Sequence, residues 1–179
     1  MSTKVHATTI LGVRVGRRIA LGGDGQITFG EIMMKSKAVK VRRYSDGKVL
    51  AGFAGAAADA MALFEKFETK LDEMKGNLQK AVVELAKDWR TDKILRELDA
   101  LLAIMDSRNG YILSGSGDVI EPDDQIIAIG SGAGFALAAA RAFLKSGEKD
   151  PKKIVEDSLK IASQICIYTN NQITVLENE

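Results

Sequence analysis

The helices of this chain come in adjacent pairs, and each pair follows a run of short strands. Residues 56 to 74 carry Phe64, Phe67, Leu71 and Met74 at helical spacing, with Glu65, Lys66, Lys70 and Asp72 between them. A second helix follows Gly76, with Leu78, Val82, Leu85 and Trp89 on one stripe. Near the C-terminus, residues 132 to 144 form an alanine-rich helix that Gly147 can stop. Asp150-Pro151 then opens a fourth helix, a cap acceptor followed by proline, running to about Cys166 with Ile154, Leu159, Ala162 and Ile165 inward. Strands fill the remainder: 8 to 15 and 18 to 22 around Gly16-Arg17, 39 to 44 and 48 to 54 around Ser45-Asp46-Gly47, 101 to 105 and 111 to 114 closed at Asn109-Gly110, then 118 to 121, 125 to 130 and 172 to 176. Gly22-Gly23-Asp24-Gly25 reads as a turn after the second strand. Helices that do not alternate with single strands argue against a parallel doubly wound sheet. The arrangement that buries every stripe is α+β: a four-layer αββα sandwich, two antiparallel sheets face to face with a helix pair on each outer side.

Size and charge narrow the function classes. With 179 residues, 46% hydrophobic and 27% charged, the chain suits one well-cored domain. A net charge of +1 gives no overall field for nucleic acid or an anionic membrane, and the basic run Lys35, Lys37, Lys40, Arg42 and Arg43 is local. The single cysteine, Cys166, excludes an internal disulfide framework and favours a reducing compartment, so a cytoplasmic location is expected. Neither a signal-like leader nor an apolar run of membrane-spanning length is visible. Gly130-Ser131-Gly132-Ala133-Gly134 superficially matches a dinucleotide loop, but Phe135 stands where the third glycine belongs. Nucleotide binding by this chain is therefore not expected, and no organic cofactor is called for.

The chemistry points to the front of the chain. Thr8-Thr9-Ile10 opens a strand and Gly23-Asp24-Gly25-Gln26 supplies a carboxylate one hairpin later. A threonine hydroxyl needs a base to become a nucleophile, and the nearest is the α-amine of the same residue, whose ordinary pKa of about 7.7 to 8.0 suits neutral pH. That use requires removal of residues 1 to 7. By themselves the same residues also make an ordinary edge strand behind a leader.

The wider pattern resembles a known family. Thr8-Thr9-Ile10, Gly23-Asp24-Gly25-Gln26, Met34-Lys35, Lys40-Val41-Arg42-Arg43, Ala51-Gly52-Phe53-Ala54-Gly55, Leu85-Ala86-Lys87-Asp88-Trp89-Arg90-Thr91-Asp92, Ile127-Ala128-Ile129-Gly130-Ser131-Gly132 and Ile165-Cys166-Ile167-Tyr168-Thr169-Asn170 occur in the order found in the HslV (ClpQ) family of bacterial peptidase subunits, relatives of proteasome β-subunits. The resemblance implies an N-terminal-nucleophile hydrolase: residues 1 to 7 a propeptide and 8 to 179 the peptidase domain. It implies Thr8 as nucleophile, Lys40 as the cation that favours loss of its proton, Asp24 as the carboxylate holding that lysine, Ser131 as a hydrogen-bonding partner near the threonine amine, and Gly55 as the oxyanion-hole backbone N–H. A monovalent cation, sodium being the expected one, would lie on backbone carbonyls of Ser163, Cys166 and Thr169. Two stacked six-membered rings, a dodecamer, would work with rings of the AAA+ ATPase HslU (ClpY) on unfolded protein substrates, the partner supplying all ATP chemistry. Three departures stand out: seven residues precede Thr8, Ala56 follows Gly55 where a second glycine is usual, and Ser163 replaces a common glycine. An amidohydrolase acting on small amides and a non-catalytic ring subunit that keeps its leader are the two other readings of these residues.

Overall fold

A computed structural model describes residues 5, 6, 8–55, 57–93 and 100–178. Ala56, the second departure noted above, lies outside them. The strands are β1 (Val5–His6), β2 (Thr9–Val15), β3 (Arg18–Asp24), β4 (Ile27–Phe29), β5 (Ile32–Lys35), β6 (Val41–Tyr44), β7 (Val49–Gly55), β8 (Ala100–Met105), β9 (Gly110–Ser114), β10 (Val119–Ile120), β11 (Ile126–Gly130) and β12 (Ile173–Glu177). The helices are α1 (Ala57–Glu73), α2 (Leu78–Thr91), α3 (Ala133–Lys145) and α4 (Pro151–Ser163).

The four layers are present. A four-stranded sheet, ordered β11-β2-β3-β12, faces a five-stranded sheet, ordered β10-β9-β8-β7-β6, and the pairings are antiparallel. Three apolar layers hold the stack. Ile10, Leu21, Val41, Leu50, Ile127 and Ile129 lie between the sheets. Trp89, Phe53, Phe64, Phe67 and Leu85 join α1 and α2 to the five-stranded sheet, while Leu11, Val13, Ala136, Ala140, Val155 and Leu159 join α3 and α4 to the four-stranded one. Asn77 caps α2 by accepting the Lys80 N–H at 3.1 Å, and Asp150 caps α4 by accepting that of Lys152 at 3.2 Å.

Three features differ from the sequence reading. First, Gly22, Gly23 and Asp24 are not a turn: they continue β3, paired with Val175, Thr174 and Ile173 of β12. Glycine is needed there for space rather than for positive φ. A Cβ on Gly22 would lie 2.7 Å from Val155 Cγ1 on α4, and one on Gly23 would lie 2.5 Å from Ile10 Cδ1. Second, α4 ends at Ser163, and Ile165 is 55% exposed rather than inward. Third, β4 and β5 form a hairpin about Gly30 with β1 along the outer edge of β4, a small sheet that the sequence does not announce. All four β5 residues are exposed, so no polar and apolar alternation marks them.

Candidate active site

The site gathers where the four-stranded sheet meets the loops at one end of both sheets. Thr8 immediately precedes β2 and is 5% exposed. Its carbonyl accepts the Ser131 N–H at 2.9 Å, just beyond β11. Gly130, at φ 96°, makes this approach possible: a Cβ there would stand 1.9 Å from the Thr8 oxygen. The same Cβ would lie 3.4 Å from the Ala54 side chain, so the end of β7 with Gly55 borders the threonine. Gly55 itself has φ 147°.

Asp24 is wholly buried at the end of β3. One carboxylate oxygen, Oδ1, accepts the Thr9 N–H at 2.8 Å and the Lys40 Nζ at 3.2 Å. The other, Oδ2, accepts the Gln26 N–H at 2.9 Å and the Asn170 N–H at 3.3 Å. Four donors on two oxygens explain how a charge can sit here without water. Lys40 also donates to the Gln26 carbonyl. Burial pushes the Lys40 ammonium below its ordinary pKa, while the charge of Asp24 and its hydrogen bond hold it up. Removing either partner would strand a buried charge, a change that typically costs about 3 to 5 kcal/mol.

Thr8, Asp24, Lys40, Ser131 and Gly55 therefore lie close together. Asp24 and Lys40 are a direct ion pair, one residue along β2 from Thr8. Ser131 reaches Thr8 through its backbone N–H. Ser163 is the last residue of α4, and Cys166 and Thr169 follow in the loop. The Cys166 carbonyl accepts the Thr169 N–H at 3.1 Å, and no described backbone N–H is bonded to the carbonyls of Ser163 or Thr169. Two carbonyls without a described backbone donor, and the second lone pair of the Cys166 carbonyl, are oxygen donors of the kind that fits a hard monovalent cation.

Sequence reasoning missed three supporting side chains. Thr9 Oγ1 accepts the Gly132 N–H at 2.9 Å and lies 2.7 Å from Thr169 Oγ1, tying β2 to α3 and to the loop after α4. Gln26 donates from Nε2 to Thr28 Oγ1 at 2.9 Å and to the Ile167 carbonyl at 3.0 Å. Asn170 grips the turn after Asp24. Thr9, Gln26 and Asn170 each stand inside a quoted run, but spacing alone does not reveal partners more than 100 residues away.

A model of the proteasome subunit family matches residues 4–177. The chain is 58% identical to the ATP-dependent protease subunit HslV of Caldicellulosiruptor saccharolyticus, over 96% of this chain and 98% of that protein. The chain belongs to the HslV group of the proteasome subunit family. A second member, the ATP-dependent protease subunit HslV of Pseudothermotoga lettingae, is 56% identical over 96% of this chain and 97% of that protein. The HslV crystal structure from Trypanosoma brucei superposes with a TM-score of 0.89 at 46% identity, covering 94% of this chain and 98% of that one. The four-layer sandwich is thus the family fold. Among the described residues of this HslV-group chain, no helix is long and apolar enough to cross a membrane.

Proposed function

We propose that this chain is the peptidase subunit of an ATP-dependent, proteasome-like protease, with Thr8 as its nucleophile once residues 1 to 7 are removed. The observation that supports it most is the Asp24 carboxylate, which joins the Lys40 ammonium to the amide of Thr9, next to the threonine. In the reaction Thr8 Oγ adds to the substrate carbonyl carbon while its proton passes to the freed α-amine. Lys40 favours this step by stabilising the oxyanion form of the hydroxyl. Negative charge that develops on the carbonyl oxygen meets the Gly55 backbone N–H. Collapse transfers the proton to the leaving amine and leaves an ester on Thr8, which water hydrolyses with the α-amine again as base. A monovalent cation, sodium the expected one, would be held by the carbonyls of Ser163, Cys166 and Thr169, supplying fixed positive charge to a helix end.

Stacked hexameric rings enclosing the threonines, and an HslU-type ATPase that unfolds and delivers protein, complete the reading. The test joins intact mass with degradation. The active form should begin at Thr8 and degrade an unfolded protein only with the ATPase and ATP, and Thr8→Ala should lower peptide hydrolysis by about a thousandfold or more. A Thr8→Ala variant of undiminished rate, or a fully active form that retains Ala7, would overturn the assignment.

A further inference from the structure

Asn170 stands in the loop after α4, 146 residues from Asp24 in sequence, and bonds to both halves of the ion pair's support. Its Oδ1 accepts the Gly25 N–H at 3.1 Å and the Gln172 N–H at 3.1 Å. Its Nδ2 donates to the Ser36 carbonyl at 2.9 Å, and its own N–H donates to Asp24 Oδ2 at 3.3 Å. Two donors meet one head-group atom and a carbonyl meets the other, which fixes the amide orientation.

The two segments so joined, the turn after β3 and the loop between β5 and β6, are the ones that carry the pair. Gly25 follows Asp24 directly, and its carbonyl accepts the Ala38 N–H at 2.9 Å. A Cβ on Gly25 would stand 2.4 Å from the Ser36 oxygen, so the turn after Asp24 and the segment leading to Lys40 are pressed together. Without the Asn170 side chain, the Gly25 N–H and Ser36 carbonyl lose their partner at this crossing. The carboxylate keeps its backbone donors, but the turn that carries it and the segment that leads to Lys40 are then no longer tied through one side chain, so the lysine can draw away from it.

We propose that Asn170 is a positioning residue for the Asp24–Lys40 pair, a clamp that holds both sides of the ion pair from the loop after α4. The inference rests on the peptidase reading above, because it gives that pair its work. Asparagine suits the place because one planar head both accepts and donates. Aspartate lacks the donor, glutamine sets the head one methylene further out, and alanine offers neither. Asp24 on β3 is the charged group acting on Lys40 among the described residues, joined after processing by the Thr8 amine at the head of β2. A looser crossing therefore weakens what holds the Lys40 pKa up, and a second carboxylate beside Asp24 adds to it.

The experiment measures kcat and KM against pH for a short fluorogenic peptide, using the processed protein with its ATPase. Asn170→Ala should lower kcat about 10- to 100-fold with KM within about twofold, and should move the alkaline limb of kcat/KM to lower pH. Asn170→Asp should move that limb the opposite way, to higher pH. Asn77→Ala, which removes the distant α2 cap, serves as a purely structural comparison: it should lower Tm and leave kcat and the limb unmoved. Limbs that stay put, or that shift the same way in both Asn170 variants, would overturn the clamp, as would an unchanged kcat in Asn170→Ala. If Asn170→Ala does not fold, the direction of the Asn170→Asp limb decides alone. Thr8→Ala and Lys40→Ala are run alongside. Their loss of activity with unmoved Asn170 limbs defeats this inference only, whereas their full activity defeats the peptidase reading and the clamp with it.

Discussion

The two helix pairs cover their sheets with different materials. Over the five-stranded sheet the interior is ringed: Trp89 and Phe67 are fully buried, Tyr44 meets Phe67 edge-on at 5.2 Å, and Phe53 meets Phe64 at 6.2 Å. Over the four-stranded sheet it is built of methyls and bare backbone. Ala136 and Ala140 are the buried residues of α3, and α4 rests Val155 and Leu159 on Gly22. Large rings fill volume and tolerate small shifts, since the layer is held by area removed from water. Small residues allow backbones to approach, and the approach then leaves no slack. The Thr8 and Asp24 groups stand at the end of the four-stranded sheet beneath that layer, beside Gly23, Gly130 and Gly132, each without room for one more carbon. Bulk holds one side of the molecule together, and close backbone contact sets atomic positions on the other.

The sharpest way to break this contrast is Gly130→Ala. Its φ of 96° and the 1.9 Å approach to the Thr8 oxygen leave no position for a methyl unless Thr8 moves. Peptide hydrolysis should fall by about a thousandfold or more, although the ringed layer is untouched. Retained activity would show that the site has more slack than the geometry gives. Next in size is Trp89→Ala. The cavity should cost about 3 to 5 kcal/mol in denaturant unfolding, while kcat/KM per folded molecule stays within about twofold. A kinetic defect that exceeds the unfolded fraction would mean that the ringed layer also sets the site.

The smallest expected effect is a slope. The Lys40 pKa is lowered in the fold, so between that lowered value and its ordinary 10.5 the unfolded chain binds more protons. Stability contributed through this group therefore rises with pH across that window, whereas activity that needs the ammonium declines. Lys40→Met should flatten that part of the stability profile in chemical denaturation and abolish hydrolysis. An unchanged profile would show that the buried ammonium is not what titrates there.

The same contrast explains what sequence could reveal. The ringed layer was legible because Phe64, Phe67 and Leu71, and Leu78, Val82, Leu85 and Trp89, recur with helical period. In the second layer Ile154, Leu159 and Ala162 of α4 carry the same signal, but the glycines that set its closest approaches do not. Gly22 and Gly23 look like a turn, because glycine forced by crowding and glycine forced by positive φ are the same letter. The proposed site residues Thr8, Asp24 and Lys40 were singled out through a family-like order of short runs, not through periodicity. Asn170 and Thr9 escaped notice because their roles lie in partners across the fold, 146 and 160 residues away. The β4 and β5 hairpin escaped because its second strand faces outward on every residue.

The Thr8 carbonyl seated against Gly130 has a further consequence. Four anchors at the head of β2 lie on the C-terminal side of the Ala7–Thr8 bond: the Ser131 N–H on the Thr8 carbonyl, Asp24 on the Thr9 amide, Gly132 and Thr169 on the Thr9 hydroxyl. New chain ends usually fray because a cut removes what held them. Here a cut at that bond would release the β1–β4 pairing on one side and leave the anchors of β2 in place on the other. The mature terminus would then emerge already in register, its nitrogen the only thing changed.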